Sequence, residues 1–385
     1  MTDEGIQPKP LTCWIVAGEA SGDAYGAALA TALRAAQPGI RLAGMGAEKM
    51  RAAGVETYID STELGIVGLV EVIKHLPMFF RLFRDLVRRA AEERPSVVIL
   101  IDYPGFNLRL AKKLHGLGIR VVWYVSPQVW AWKRGRIWKL AKYCRRMLCI
   151  FPFEPQCYAP TTLPAEFVGH PLFEQLKGLK QQGIQRDANL VLLLPGSRRQ
   201  EILRLLPDFV HAACLLHRQN PALRFEFATP RPAIQTIARK LLGELKLPAD
   251  APEFAWSCGK TRERMLAAIA AIAASGTVTV EAAMLGLPVV VAYRLAWLSW
   301  WMGRCVVKLT TITIANLVCE TTVFEECLQG DCTPERLAAA LTAILPGGTR
   351  RGECLRLLDE FTRRLGGDGP VSPKVAKIAL EECQR

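Results

Sequence analysis

The chain has 385 residues, half of them apolar, with a formal net charge of +13 and a mean hydropathy of +0.16. That length suits two domains of ordinary size, and the hydropathy falls short of an integral membrane protein. The charge calls for an anionic partner. With no zinc-finger, RNA-recognition or helix-turn-helix signature present, nucleic acid gives way to an anionic membrane surface or a phosphorylated substrate.

In chain order, apolar runs predict strands near 12–16, 41–44, 96–102, 119–125, 147–151 and 166–168, with helices near 23–36, 77–93, 107–117 and 134–143. After the polar stretch 177–189 the alternation restarts. It gives strand 190–194, helix 199–219, strand 223–228, helix 231–245, strand 253–256, helix 261–268, strand 270–274, helix 277–285 and strand 288–293. Repeated β-α alternation with short loops means parallel sheets covered on both faces. The expected fold is therefore α/β, with two Rossmann-like domains facing each other across a cleft. Domain limits are placed at 1–180 and 187–350, followed by a helical tail, 351–385, whose packing the sequence leaves undecided. A homo-oligomer stays open.

The longest apolar stretch, Met265 to Tyr293, contains Glu281, Pro288 and the turn Ser275-Gly276-Thr277. Two buried strands around a helix account for it better than a membrane span. The polar N-terminus and short first apolar run predict no signal peptide, which points to the cytoplasm. The twelve cysteines are scattered with no C-x-x-C pair. They read as reduced, mostly buried thiols rather than a metal site.

Two loops carry the chemistry. Ala17-Gly18-Glu19-Ala20-Ser21-Gly22-Asp23 follows the first strand, and Pro195-Gly196-Ser197-Arg198-Arg199-Gln200-Glu201 follows strand 190–194. Both are strand, turn and helix start, where open α/β sheets bind ligands. In the first loop Asp23 is expected to cap its own helix, leaving Glu19 to meet a ligand. In the second, Ser197 and Gln200 match a capping box. Arg198 and Arg199 oppose the helix dipole there, which points to a bound anion.

Asp102 closes the run Val97–Ile101 just before Tyr103-Pro104-Gly105. Two readings stand: it bonds its own turn, or burial at the strand end raises its pKa and makes it a base. Ser275, Gly276 and Thr277 open another helix whose amides suit phosphate oxygen, and Glu281 one turn on suits ribose hydroxyls. A plain strand-to-helix turn accounts for the same residues. Trp130 and Trp132 are taken as core. His170 reads equally as a site group or a loop histidine. From Pro77 to Arg94, Phe79, Phe83, Leu86, Val87 and Ala90 share a helix face. Met78, Phe80 and Leu82 spill beyond it among Arg81, Arg84, Arg88 and Arg89. This surplus is assigned to an anionic lipid surface over simple packing.

Taken in order, the motifs resemble the lipid A disaccharide synthases, inverting glycosyltransferases of lipopolysaccharide assembly in Gram-negative bacteria. The resemblance rests on Val16–Asp23, Ile66–Val72, Ile101–Asn107, Tyr124–Trp132, Phe151–Glu154, Val168–Pro171, Leu194–Arg198 and Ala274–Thr277. It implies a GT-B fold, UDP-2,3-diacylglucosamine as donor and 2,3-diacylglucosamine 1-phosphate (lipid X) as acceptor. The implied products are lipid A disaccharide 1-phosphate and UDP. The resemblance also implies Asp102 as the essential carboxylate, Arg198 on the donor diphosphate, Glu281 in the nucleotide site and Asn316 in the cleft. The family pattern is altered at Ala315 and over Val323–Gln329.

The expected catalytic pair is thus Asp102 and Glu19. The expected donor set is Gly196, Ser197, Arg198, Ser275, Gly276, Thr277, Glu281 and Asn316, with Ser21 and the 78–88 stretch facing acceptor or membrane. No cofactor or metal is called for. The enzyme is expected to sit peripherally on the inner face of the cytoplasmic membrane. The rival expectations are another UDP-sugar enzyme of the same fold, such as an epimerase, and a non-catalytic lipid-binding protein.

Overall fold

The computed structural model describes residues 11–61, 69–294, 311–366 and 369–384, without the side chains of 69–77. The chain divides into two compact units, residues 1–171 with 366–385, and residues 172–365.

The first unit runs β1 (Thr12–Ala17), α1 (Ala20–Ala36), β2 (Arg41–Gly46), α2 (Glu48–Ala52), β3 (Glu56–Asp60) and α3 (Leu69–Glu93). It continues through β4 (Val97–Ile101), α4 (Pro104–Gly116), β5 (Val121–Tyr124), α5 (Arg136–Tyr143), β6 (Arg146–Cys149), α6 (Glu154–Tyr158) and β7 (Ala165–Phe167). The seven strands pair in the order β3-β2-β1-β4-β5-β6-β7, all parallel. Val97–Ile101 is buried along its whole length, because helices cover both faces of a central parallel strand. On one face, Leu86 and Ala90 of α3, Leu110 and Leu114 of α4, and Ile137 and Leu140 of α5 join Trp14, Val98 and Trp123 in one core.

The second unit contains α7 (Leu172–Lys180), β8 (Leu190–Leu194), α8 (Arg199–Gln219), β9 (Arg224–Thr229), α9 (Pro232–Glu244), β10 (Phe254–Cys258) and α10 (Thr261–Ala267). It goes on with β11 (Ala270–Ala274), α11 (Thr277–Met284), β12 (Val289–Tyr293), α12 (Ile314–Cys319), β13 (Glu325–Leu328), α13 (Pro334–Ile344) and α14 (Arg351–Gly366). Its sheet is parallel in the order β10-β9-β8-β11-β12-β13. The 265–293 stretch is buried strand, helix and buried strand. No helix among the described residues is long and apolar enough to cross a membrane. The described cysteines are free, and most are buried.

Several expectations change. The division falls at Pro171/Leu172, not after residue 180, because α7 packs on α10 and α11 of the second unit. The tail is two helices with different hosts. α14 stays largely with the second unit, while α15 (Val371–Gln384) returns to the first and packs along α1. There Arg146 donates to the Glu382 carboxylate at 3.0 Å.

Asp23 does not cap its own helix. It lies one turn inside α1, buried, and its carboxylate accepts from the amides of Ala47, Lys49 and Met50 at 2.6, 3.0 and 3.2 Å. It therefore caps α2, which starts one strand later in the chain. Edge strands β3 and β13 had no apolar run to announce them. β3 pairs with β2 along Glu56–Asp60, and its charged edge is met by Arg41, which pairs with Glu56 and with Glu93 of α3, each at 2.8 Å.

Candidate functional site

In the first unit the strand order reverses between β1 and β4, whose last residues, Ala17 and Ile101, are register partners. This is the switch point where α/β sheets place ligands. Gly18-Glu19 leaves one strand there, and Asp102-Tyr103 leaves the other.

Asp102 and Tyr103 both take left-handed backbone angles, φ 45° and 47°. Each costs about 1–3 kcal/mol for a residue with a side chain. Surrounding contacts impose the turn. The Asp102 amide donates to the Tyr124 carbonyl at 2.9 Å. Buried Asn107 donates to the Asp102 carbonyl at 2.8 Å and to that of Ile101 at 3.2 Å. Gly18 is required opposite: a Cβ there would lie 2.3 Å from the Tyr103 ring. The Asp102 carboxyl is pushed up to about 6, chiefly by burial and then by the Glu19 carboxylate, against a smaller opposing effect of the Tyr103 amide. The residue thus carries features of both readings: its carboxyl touches its own turn, and burial raises its pKa. Glu19 and Ser21 are exposed beside it.

Glu154, whose function the sequence did not suggest, lies behind this edge. Only 1% of it is exposed. Its Oε2 accepts from the Ile150 and Phe151 amides, both at 3.1 Å. Burial pushes its carboxyl up to about 8, the two amides and Trp130 pull it down, and Asp102 adds to the rise. Near neutral pH it is therefore largely protonated. His170 is fully buried against Phe151, and desolvation lowers its pKa to about 3, so it stands as a neutral histidine. Trp130 is half-buried, edge-on to Phe153. Trp132 is not core, being 39% exposed.

The second unit repeats the placement. Strand order reverses between β8 and β11, and Leu194 pairs with Ala273, so the Gly196 loop and the Ser275 loop leave adjacent strands. The helix start differs from the expected capping box. α8 begins at Arg199, and Glu201 accepts the Ser197 amide at 2.9 Å and the Arg198 amide at 3.2 Å. Gly196 has φ 121°, and a Cβ there would meet Glu201 at 2.4 Å. Arg198 is its N-cap residue, with a side chain 76% exposed in a loose 3.4 Å pair with Glu201. Its guanidinium is accessible to an anion.

Beside it, Gly276 and Thr277 are exposed at the start of α11, with Ser275 half-buried. Glu281 is gripped by Arg262 through two bonds, 2.8 and 3.1 Å. That bidentate hold fixes the carboxylate plane. Nothing in the sequence spacing joins Arg262 to Glu281.

Asn316 is placed differently from the resemblance. Its Oδ1 accepts from Val323 and Phe324, both at 2.9 Å, and its Nδ2 donates to the Phe324 carbonyl at 2.9 Å and to Glu326 at 3.2 Å. All four bonds of a buried amide are used on its own loop, so it clamps 323–326 and has no group left for a ligand.

The 78–88 stretch also narrows. Phe79 and Leu82 pack on the core, Phe83 meets Phe106 edge-on at 5.4 Å, and Met78 is half-buried. Phe80 is 65% exposed, with Arg81, Arg84 and Arg88 also outward, the last paired to Glu92. The Ile66–Val72 motif lies outside the residues whose side chains are described.

Two parallel sheets, each with polar residues gathered at its switch point, define a two-domain enzyme of the GT-B kind. The fold is similar to the S. aureus MnaA–UDP co-structure (TM-score 0.65, 11% identity, 97% of this chain and 98% of that one). It is likewise similar to the glycotransferase of kitacinnamycin (TM-score 0.64, 15% identity, 98% and 100%). Residues 13–365 match the family model of lipid-A-disaccharide synthetase. The chain is 39% identical to the lipid-A-disaccharide synthase of Myxococcus xanthus over 97% of its length and 98% of the relative. It is 41% identical to that of Koribacter versatilis over 97% and 99%. The protein belongs to the lipid-A-disaccharide synthase family, and is a glycosyltransferase.

Proposed function

We propose that the protein transfers 2,3-diacylglucosamine from its UDP donor to the 6-hydroxyl of lipid X, giving lipid A disaccharide 1-phosphate and UDP. Asp102 carries the reading. It is a carboxylate fixed in a strained turn at a switch point and raised to about 6, so it is ionised at neutral pH yet basic enough to accept a proton.

In this mechanism Asp102 takes the proton of the acceptor hydroxyl as that oxygen attacks the donor anomeric carbon from the face opposite UDP. The bond from that carbon to the diphosphate oxygen breaks, and the configuration inverts. Arg198 and the amides at the start of α11 oppose the charge growing on the departing diphosphate. Glu281, aligned by Arg262, receives the ribose hydroxyls. Glu19 supports the basicity of Asp102 through its charge. The acceptor's lipid nature favours work at the inner face of the cytoplasmic membrane, with Phe80, Arg81 and Arg84 meeting the anionic surface.

Asp102→Asn tests the assignment. Turnover should fall by about 10²–10⁴-fold while UDP affinity stays within a few-fold of wild type. Substantial remaining activity would transfer the role of base to Glu19.

A further inference from the structure

Between Asp102 and Glu154 the chain has no acidic residue and eleven lysines and arginines. This stretch builds α4 and α5, which pack against each other on one face of the first unit's sheet. The inward side of α5 is satisfied, since Ile137 and Leu140 are buried in the core. Its outward side holds Trp138, 57% exposed, next to Lys139 and one turn before Lys142. Trp132 lies on the preceding loop, 39% exposed, with Lys133 and Arg136 over its ring at 4.6 and 4.7 Å. None of these four basic residues forms an ion pair with a carboxylate among the described residues.

We propose that Trp132, Lys133, Arg136, Trp138, Lys139 and Lys142 form a docking surface for an anionic lipid bilayer, separate from α3. Two observations select lipid. Indole rings lie well at the headgroup level, with an apolar body and one N–H for the wet side. A run of positive charge with no intervening carboxylate matches an anionic leaflet, where each basic residue strengthens binding by about fivefold. The ring of Trp132, with two cations already over it, is closed to base stacking. The inference rests on the reading that the enzyme works on lipids at a membrane.

The test uses the full chain and vesicles of equimolar phosphatidylglycerol and phosphatidylcholine, with phosphatidylcholine alone as the control. Lys139→Glu with Lys142→Glu should lower partitioning into the anionic vesicles roughly tenfold or more. Trp138→Ala should lower it severalfold. Brominated acyl chains should quench wild-type fluorescence, and Trp138→Phe should lose much of that quenching. All these variants should keep wild-type transfer on detergent-dispersed substrates. Partitioning equal to wild type in both the Lys139/Lys142 and the Trp138 variants would overturn the proposal. So would equally tight binding of an oligonucleotide that is lost in parallel with vesicle binding. Absence of transfer by the wild type in detergent would instead overturn the reaction, and the vesicle measurements would still decide the surface.

Discussion

At the scale of single residues, Asp102 couples activity to stability in opposite directions. The ionised form is the base, so kcat/KM should rise with pH through an apparent pKa near 6 and then level off. Folding binds the proton more tightly than the unfolded chain does, so stability falls as pH rises from about 4 to 6. Asp102→Asn removes that penalty, and urea titration should show it about 3 kcal/mol more stable than wild type at pH 7 and little different at pH 3. Glu154 follows the same sign over a wider range. Its carboxyl is raised to about 8, so wild type loses stability progressively between its ordinary pKa and pH 8. Glu154→Gln keeps an acceptor for the Ile150 and Phe151 amides and should flatten that decline. Glu154→Ala strands both buried amides and should cost about 2–4 kcal/mol at low pH, a cost that shrinks toward pH 8 as wild type loses its own proton-linked stability. Asp102 was legible because it ends an apolar run before a turn. Glu154 and Arg262 were not, since burial and a bidentate partner arise from segments brought together only by folding.

At the scale of elements, the loop after β8 decides how the donor is held. Glu201 occupies the Ser197 and Arg198 amides, which leaves the exposed guanidinium groups of Arg198 and Arg199 as the loop's positive groups for a diphosphate. Arg198→Ala should therefore raise the UDP dissociation constant and lower kcat together, because the diphosphate is present in the ground state and gains charge in the transition state. Isothermal titration with UDP and steady-state rates separate the two effects. A change confined to lipid X affinity would remove Arg198 from the donor site. With positive side-chain and helix charge in this role, EDTA should leave the rate unchanged, and restoration of a lost rate by magnesium would contradict it. Central strands such as Val97–Ile101 were readable because burial on both faces demands a continuous apolar run. β3 and β13 were hidden because edge strands, covered less fully, carry charged residues such as Glu56 and Glu325 in place of an apolar run. Helix α3 read as over-apolar because Leu82, which a single-helix projection leaves outside the apolar face, still packs on the core.

At the scale of the whole molecule, the chain crosses into the second unit at Leu172 and comes back at Gly366. Helix α15 then completes the first unit, buried through Val375, Ala376 and Ala379 and pinned by Arg146–Glu382. Deleting residues 367–385 should thus lower the unfolding temperature of the first unit and leave that of the second near wild type, as calorimetry would resolve. No local pattern announces such a return, since the periodicity of a helix says which face is apolar and nothing about its host. The alternation of strands and helices, by contrast, was enough to give two parallel sheets. The central claim is the joining of two acylated sugars, and product mass spectrometry tests it most directly. After purified protein is mixed with UDP-2,3-diacylglucosamine and lipid X, the account predicts a disaccharide 1-phosphate and UDP in equal amounts. Release of UDP without a disaccharide, or an isomerised UDP-sugar with lipid X untouched, would contradict it.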